Sequence, residues 1–340
     1  NQIKKEKKMK QVDKYPTIQA KVHKNVQHGS AEWLELRKKY TSGTDSPVLM
    51  EKSSFKSPFT LWHEKSGLLE DGFKDNNRML WGRRLESAIR DGVAEDMGYN
   101  LLEDVWVSNN TYYTLEESKL GATPDAVLAY PSKFVNDKLG KEQEGHGVFE
   151  IKNVDGLIHK QQWTENEPPV QYIIQLQHYM YVLGYSWGVL TALVNGNTTY
   201  TYCYELHQPT VNLIRNNSFL FWDYLNSGRQ CPYKADSTTS TTNTLKSLYP
   251  SQNGKTVDKT QDNKFTTLVS NFVHAKRNHK DATKNLAECK NLLQAEIADN
   301  SLIECNVFDN GINKKHLIKQ NTTEVSEYTV KARTQTSFTV

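Results

Sequence analysis

Two carboxylates and a lysine form the set of residues in this sequence that is best suited to chemistry. Asp125 follows Pro124, and Glu150 and Lys152 flank Ile151 in a strand-like run. Side chains alternate along a strand, so Glu150 and Lys152 point to one face and Ile151 to the other. A turn and a hairpin could then bring Asp125 beside Glu150. Two carboxylates and an ammonium group on one face can hold a hard divalent cation and orient water for hydrolysis of a phosphodiester bond.

A helix that precedes these strands carries a third carboxylate. Apolar residues at positions 81, 85, 88, 89 and 93 follow helical spacing, and Glu86 lies at the edge of this stripe. At the edge of a stripe, Glu86 is either a solvated surface charge or a side chain that looks into an active site. The periodicity alone favours the surface charge.

A later helix offers an amide group. Prolines begin this helix, at positions 168 and 169, and Gly184 ends it. Tyr172, Gln175 and Tyr179 fall on one stripe, at positions i, i+3 and i+7. A glutamine inside an otherwise apolar stripe needs a hydrogen-bond partner, which a ligand or a metal-bound water could provide.

Residues 30–50 have the features of a phosphate site. Ser30 is placed to cap a helix that contains Trp33 and Arg37, and a second helix begins after Thr44. A hydroxyl and free backbone N–H groups at a helix start bind phosphate, and Arg37 could reach the same phosphate. The alternative is that Thr44 is only a cap and Arg37 a surface ion-pair partner, which the residue types alone favour.

The remaining pattern predicts a mixed α/β fold with a central sheet between helices. Helices are expected at 58–66 and 208–225, and strands at 105–107, 111–114, 148–152, 188–194 and 199–205. The last two strands would form a hairpin around Asn195 and Gly196. The charged segment 131–147 is expected to be an exposed loop.

Four regions follow one another along the chain. Residues 1–29 are expected to form a basic flexible arm, either a nucleic-acid-binding tail or a solubilising terminus. Residues 30–230 would form the core, and 231–261, rich in Ser, Thr, Asn and Lys, a linker. Residues 262–340 would add a helix or helical hairpin and a small β unit. The sequence begins with Asn1, so we expect the native start at Met9 or upstream of Asn1.

The composition narrows the protein class. With 340 residues the chain can bury a sizeable core, and its net charge of only +3 excludes a polycation. The sequence has no apolar run of transmembrane length and no signal-peptide core, so we expect a soluble protein of the cytoplasm. Its four cysteines are widely spaced, which argues against a structural zinc site or an iron–sulfur cluster.

Taken together, the motifs resemble those of phage-type exonucleases of the lambda-exonuclease and YqaJ-like viral recombinase group. This group belongs to the PD-(D/E)xK superfamily with a restriction-endonuclease-like fold. The resemblance spans about residues 30–228. The matching residues are Trp33 and Arg37 with Thr44, the run Trp81-Gly82-Arg83-Arg84-Leu85-Glu86, Thr123-Pro124-Asp125, Glu150-Ile151-Lys152, and Tyr172 with Gln175 and Gln177.

The resemblance implies a role for each of these residues. Asp125, Glu150 and the Ile151 carbonyl would hold Mg²⁺, for which Mn²⁺ could substitute, and Glu86 would complete the acidic cluster directly or through water. Lys152 would position the attacking water and stabilise negative charge. Gln175 would orient Lys152 or the water. The DNA- and phosphate-binding residues would be Arg37, Thr44, Trp33 and Tyr172, with Arg37 and Thr44 on a phosphate for which the 5′ end is a candidate.

The resemblance also implies an activity and partners. The enzyme would hydrolyse linear double-stranded DNA from its ends, 5′→3′, and so produce single strands for phage recombination. Partners would be DNA ends, a single-strand annealing protein and further copies in a ring, with no membrane, in the host cytoplasm if a phage encodes the chain. Two alternatives are a structure-specific or nicking endonuclease and a non-catalytic DNA-binding module with a decayed nuclease core.

Overall fold

The computed structural model describes residues 20–69, 77–102, 111–163, 167–251, 253–300, 302–309 and 312–319. The chain divides into two compact units, Asn1–Ser251 and Gln252–Val340. The first unit contains all the motifs that the sequence singles out as chemical.

The described elements of the first unit alternate between helices and strands. In chain order they are β1 (Lys21–Lys24), α1 (Ala31–Lys39), β2 (Thr41–Ser42), α2 (Ser46–Leu49), α3 (Pro58–Lys65), α4 (Asn77–Met97), β3 (Asn100–Leu101), β4 (Thr111–Leu115), β5 (Leu120–Ala122), β6 (Ala126–Tyr130), α5 (Lys133–Leu139), β7 (Gly147–Val154), α6 (Gly156–Gln162), α7 (Val170–Leu183), β8 (Trp187–Val194), β9 (Thr198–Glu205), α8 (Gln208–Asn226) and α9 (Thr239–Leu248).

A five-stranded mixed sheet forms the centre of this unit, in the order β3-β6-β7-β8-β9. Strands β7 and β8 run parallel, and the other neighbours are antiparallel. Alternate residues of β7 face opposite sides. Val148 packs in a core with α7, whereas Phe149 and Ile151 pack in a second core with α4. Glu150 therefore shares the face of β7 that is turned towards α7.

A smaller sheet has the order β1-β4-β5-β2, with β2 parallel to β5 and the other pairs antiparallel. This sheet joins the Asp125 turn, which follows β5, to the Thr44 loop, which follows β2. His178 of α7 strengthens the connection, because its Nε2 lies 2.9 Å from the Gly121 carbonyl and its Nδ1 2.7 Å from Ser46 Oγ. Burial lowers the pKa of His178 to about 4, so the ring is neutral at physiological pH.

The mixed α/β fold expected from the sequence, with a central mixed sheet flanked by helices, is confirmed. The expected exposed loop at 131–147 is wrong in part. Ser132 caps a helix there by accepting a hydrogen bond from the Val135 amide, and Gly140 ends it in the left-handed region. The expected strand at 105–107 lies outside the described residues.

The expectation that the apolar stripe of the helix before the sheet faces inward is also wrong in part. Ile89 and Val93 are buried, but Trp81 is 54% exposed. The first turns of α4 therefore lie outside the hydrophobic core, whereas the later turns pack against it.

The ends of the first unit also differ from the expectation. Lys21–Lys24, expected within a flexible arm, pairs with β4, whereas residues 1–19 lie outside the described part. The expected linker contains α9, whose Thr241 and Thr244 are buried. Their hydroxyls lie 2.7 Å from Ser57 Oγ and 3.0 Å from Thr60 Oγ1, so hydrogen bonds dock this polar helix on α3.

The second unit contains one long helix, α10 (Asn263–Ile297), and a hairpin of β10 (Leu302–Asp309) and β11 (Ile312–Lys319). The sequence left a single helix or a helical hairpin open, and the single helix is what forms. The tail segments expected to form strands, at 326–330 and 337–340, lie outside the described residues. None of the described helices combines the length and apolar character needed to cross a membrane.

Candidate active site

One cavity of about 210 Å³ brings most of the candidate residues together. It lies where the Asp125 turn, β7, α7 and α4 meet the region around α1 and the Thr44 loop. The residues that line it are His28, Trp33, Arg37, Thr44, Arg83, Glu86, Thr111, Tyr113, Thr123, Pro124, Asp125, Glu150, Lys152, Gln175 and Tyr179. Of the side chains named from the sequence, Tyr172 is not part of the lining.

The turn between β5 and β6 fixes Asp125 next to β7. Asp125 Oδ2 accepts a hydrogen bond of 2.7 Å from the Ile151 amide. The next residue, Ala126, pairs with Phe149 in the antiparallel ladder between β6 and β7. A carboxylate that is bound to the backbone beside Glu150 is held in one position, as the sequence pattern predicted.

Glu150 has two oxygens in contrasting surroundings. Oε1 pairs with Lys152 Nζ and accepts a hydrogen bond of 2.7 Å from Gln175 Nε2. Oε2 is buried and has no hydrogen-bond partner among the described residues. An ionised oxygen without a partner in the interior is costly, so this atom is suited to a ligand that supplies positive charge.

Gln175 donates a hydrogen bond to Glu150, whereas Lys152 was one of its two expected partners. Its amide nitrogen also lies 3.1 Å from the hydroxyl of Tyr179. Lys152 instead has its Nζ over the ring of Tyr172, 5.5 Å from the centroid. Tyr172 therefore supports the lysine from outside the cavity.

Burial and mutual repulsion dominate the electrostatics of the acids. Burial, Asp125 and Glu150 raise the pKa of Glu86 to about 8. Burial and Asp125 raise the pKa of Glu150 to about 8 although Lys152 opposes the shift, and burial raises the pKa of Asp125. Lys152 is itself buried, which disfavours its charge, but Glu150 and Asp125 outweigh this and raise its pKa. Three acids share the ammonium of Lys152, so the acidic side of the cavity can accept further positive charge.

The carboxylates do not form a complete ligand cage. In the described part of the chain no three His, Cys, Asp or Glu side chains lie close enough together to hold a metal ion. Mg²⁺ does not need such a cage, since it keeps several waters and commonly binds one or two carboxylates. Asp125 and Glu150 fit this pattern, and Glu86 lines the same cavity.

The Thr44 loop and Arg37 are held by a buried carboxylate. Asp45 Oδ2 accepts a hydrogen bond of 3.0 Å from the Ser42 amide and pairs with Lys65 Nζ at 2.9 Å. Asp45 Oδ1 lies 4.0 Å from Arg37 Nη2. Thr44 is exposed and its hydroxyl lies 3.0 Å from Ser42 Oγ. An exposed hydroxyl and a partly exposed guanidinium on the cavity wall can both reach a phosphate.

Trp33 supports this wall of the cavity from the protein interior. It is 1% exposed and packs with Val26 and Tyr112. The Arg37 guanidinium lies 4.6 Å from the Trp33 ring centroid. Trp33 therefore orients Arg37 from beneath and offers little surface of its own to DNA.

Three further residues support the site: Asp45, Lys65 and Tyr179. Asp45 and Lys65 were assigned no role from the sequence, and only the structure shows that they form a buried pair. Tyr179 was placed on the correct stripe of α7 but was assigned no role. Its position at i+4 from Gln175 was the available signal for their contact.

An α/β fold with two carboxylates and a lysine at one cavity suits metal-dependent hydrolysis of a phosphodiester bond. The family comparison agrees, because residues 32–186 match the YqaJ-like viral recombinase domain. This stretch of the chain is similar to that family, and the match supports a nuclease.

Two further comparisons show similar proteins. A Bacillus subtilis (strain 168) protein, "Uncharacterized protein YqaJ", is 24% identical over 281 residues, which are 81% of each chain. Two crystal structures of LHK-Exo, an alkaline exonuclease from Laribacter hongkongensis, align with 58% of this chain and 93% of theirs. Their identity is 17% and their TM-score 0.44, and one of the two is a complex with dAMP.

Proposed function

We propose that this protein is a metal-dependent exonuclease that degrades linear double-stranded DNA 5′→3′ and leaves single strands for recombination. The observation that carries the proposal is the buried, unpartnered Oε2 of Glu150, in a cavity that also holds the carboxyl groups of Asp125 and Glu86. The match of residues 32–186 to a viral recombinase domain supports the link to recombination.

The proposed cofactor is Mg²⁺, for which Mn²⁺ would substitute. Asp125, Glu150 and the Ile151 carbonyl would hold it, because all three supply the hard oxygen ligands that it prefers. When bound, it neutralises the phosphate and lowers the pKa of a bound water. The carboxylates themselves would keep the ion in place, with Asp125 fixed by the Ile151 amide.

The other side chains of the cavity would orient the reacting groups and stabilise the charge that develops on the phosphate. Lys152 stays protonated between Glu150 and Asp125 and places a positive charge where the cleaved phosphate gains negative charge. Gln175 holds the Glu150 carboxylate in its orientation through the hydrogen bond to Oε1. Glu86, at the α4 wall of the same cavity, would accept a hydrogen bond from water near the reacting phosphate.

The proposed 5′→3′ polarity depends on Arg37 and Thr44, which line another part of the cavity. Arg37 and Thr44 would bind the terminal 5′-phosphate, with Asp45 and Trp33 holding Arg37 in place. A bound terminal phosphate would position the adjacent phosphodiester bond next to the carboxylates. The partners we propose are DNA ends, a single-strand annealing protein and further copies of the chain in a ring.

Digestion of matched linear and closed circular duplexes tests the proposal. With Mg²⁺ the linear form should lose nucleotides from its 5′ ends, whereas the closed circle and the linear form in EDTA should stay intact. Equal cutting of the closed circle would overturn the exonuclease assignment in favour of an endonuclease. Binding without any digestion in Mg²⁺ or Mn²⁺ would favour a DNA-binding module without catalysis.

A further inference from the structure

A fully buried histidine of α7 contacts both segments that carry the proposed metal and phosphate sites. His178 is 0% exposed. Its Nε2 lies 2.9 Å from the carbonyl oxygen of Gly121, in the strand that leads to Asp125. Its Nδ1 lies 2.7 Å from Oγ of Ser46, which begins the helix after Thr44. One side chain thus connects the two segments inside the protein.

The chemistry of the two partners fixes the direction of both hydrogen bonds. A carbonyl oxygen can only accept, so the Nε2–H group of His178 donates to Gly121. A neutral imidazole then has an unprotonated Nδ1, which accepts a hydrogen bond from the Ser46 hydroxyl. Burial lowers the pKa of His178 to about 4, which keeps the ring in this neutral form. Each ring nitrogen therefore has a partner, and the ring bridges Ser46 and Gly121.

Backbone pairing connects the same two segments over a short distance only. β2 and β5 pair in parallel through two residue pairs, the second of which joins Ser42 and Gly121. Beyond these pairs one segment continues to Thr44 and the other to Asp125. A buried hydrogen bond fixes its two partners firmly, because breaking it leaves an unpaired polar group in the interior. The two hydrogen bonds of His178 therefore extend the connection past the end of the ladder.

We propose that His178 is a positioning residue that fixes the 5′-phosphate site relative to Asp125, so that a bound terminal phosphate accelerates cleavage. This inference rests on the proposed nuclease function and adds to it a separation between binding of the DNA end and the effect of that binding on the rate. A phosphate held by Arg37 and Thr44 speeds the chemical step only where its distance from the carboxylates is fixed. His178 does not line the cavity, so it acts through its two partners.

Ser46→Ala tests the bridge with a small change. It removes the hydroxyl that donates to His178, and Ser46 does not line the cavity. Cleavage of 5′-phosphorylated and 5′-hydroxyl linear duplexes is compared in Mg²⁺ at saturating enzyme in single-turnover reactions, and the affinity for both duplexes is measured in Ca²⁺. Coupling between two sites typically amounts to about 5- to 150-fold, so we expect the ratio of the two cleavage rates to fall by about fivefold or more. The ratio of the two affinities should stay at the wild-type value, because Arg37 and Thr44 are intact.

His178→Gln removes the same hydrogen bond from the other partner. The glutamine amide can still donate to a carbonyl, but the ring nitrogen that accepts from Ser46 is lost. Two changes that remove one interaction are not additive, so the double variant should show the same cleavage ratio as Ser46→Ala alone. His63→Gln is the matched control and should keep the wild-type ratio, because this buried ring contacts the Phe59 carbonyl of its own helix. Ser46→Ala by itself decides the question if His178→Gln does not fold.

The outcomes separate this inference from the proposed function. Cleavage rates of Ser46→Ala that fall equally for both duplexes, as a merely structural role predicts, would overturn the role of His178 and leave the nuclease proposal intact. A parallel loss of the affinity ratio would show that Ser46 only shapes the phosphate site, and would also overturn it. A wild type that does not digest DNA, or that digests both duplexes equally, would overturn the proposed 5′-end recognition and this coupling together.

Discussion

The ring of Tyr179 occupies the space that a side chain at Gly43 would need. Gly43 lies in the loop between Ser42 and Thr44, and the Tyr179 hydroxyl lies 3.1 Å from the amide nitrogen of Gln175. Tyr179 thus connects the proposed phosphate loop to the residue that orients Glu150. This contact fixes the position of the Thr44 loop relative to α7, which carries Gln175.

Gly43→Ala should therefore impair cleavage, although residue 43 does not itself contact the carboxylates. The added methyl group would overlap the Tyr179 ring and displace either the loop or α7. A misplacement of about 1 Å can cost about 100-fold in rate, which is the loss we expect in single-turnover digestion. Gly92→Ala is the matched control, because a Cβ there meets nothing within 4 Å. Equal rates for both variants would show that Tyr179 does not couple the walls.

Divalent metal should stabilise the folded first unit. A ligand that binds only the native state adds about 2.7 kcal/mol at about 100 times its Kd. We expect MgCl₂ to raise the midpoint of thermal unfolding, followed by tryptophan emission, in the wild type and in the exposed-carboxylate control Asp137→Asn. Glu150→Gln should remove most of this increase. An increase of the same size in Glu150→Gln would exclude Glu150 as a ligand.

Arg37→Ala should weaken the preference for 5′-phosphorylated ends. A hydrogen bond to a charged group contributes about 1.5–3 kcal/mol, so the preference over 5′-hydroxyl ends should fall roughly 10- to 100-fold. Competition between the two substrates measures it directly. Lys39→Ala, at an exposed position of the same helix, should retain the preference. Loss of the preference in both variants would indicate general electrostatic attraction rather than a phosphate contact.

Asp45 should make stability depend on pH in a defined direction. Burial alone would raise its pKa, but Lys65 and Arg37 outweigh burial and hold the pKa of Asp45 below its usual range. A depressed pKa in the folded state gives stability that is complete above about pH 4 and is lost as the pH falls further. Asp45→Asn should cost about 3–5 kcal/mol in urea unfolding at pH 7, because Lys65 loses its buried partner. The cost should shrink at pH 3, and a constant cost would refute the pairing.

The central acids were predictable because their geometry is local to two strands. Glu150 and Lys152 alternate along β7, so their spacing predicts that they share one face of the strand. Asp125 lies in the turn before β6, which pairs with β7. Gln175 was found because a polar residue inside an apolar stripe requires a partner. In these cases the sequence separation and the secondary-structure period together determine the contact.

Contacts between distant segments were not predictable in this way. The Gly43–Tyr179 contact and the Asp45–Lys65 pair depend on how helices and loops assemble, which composition does not encode. The same holds for α9, whose polar sequence is typical of a linker. Its burial depends on hydroxyl contacts such as Thr241 with Ser57.

Cleavage of an end-labelled linear duplex by Asp125→Asn and Asp137→Asn tests the central claim most directly. Both variants change one carboxylate to an amide, but only Asp125 lines the cavity, whereas Asp137 is exposed on α5. With Mg²⁺ we expect Asp137→Asn to release nucleotides at the wild-type rate. Asp125→Asn should release none while it still binds the duplex in Ca²⁺. Wild-type cleavage by Asp125→Asn would contradict the assignment of this cavity as the active site.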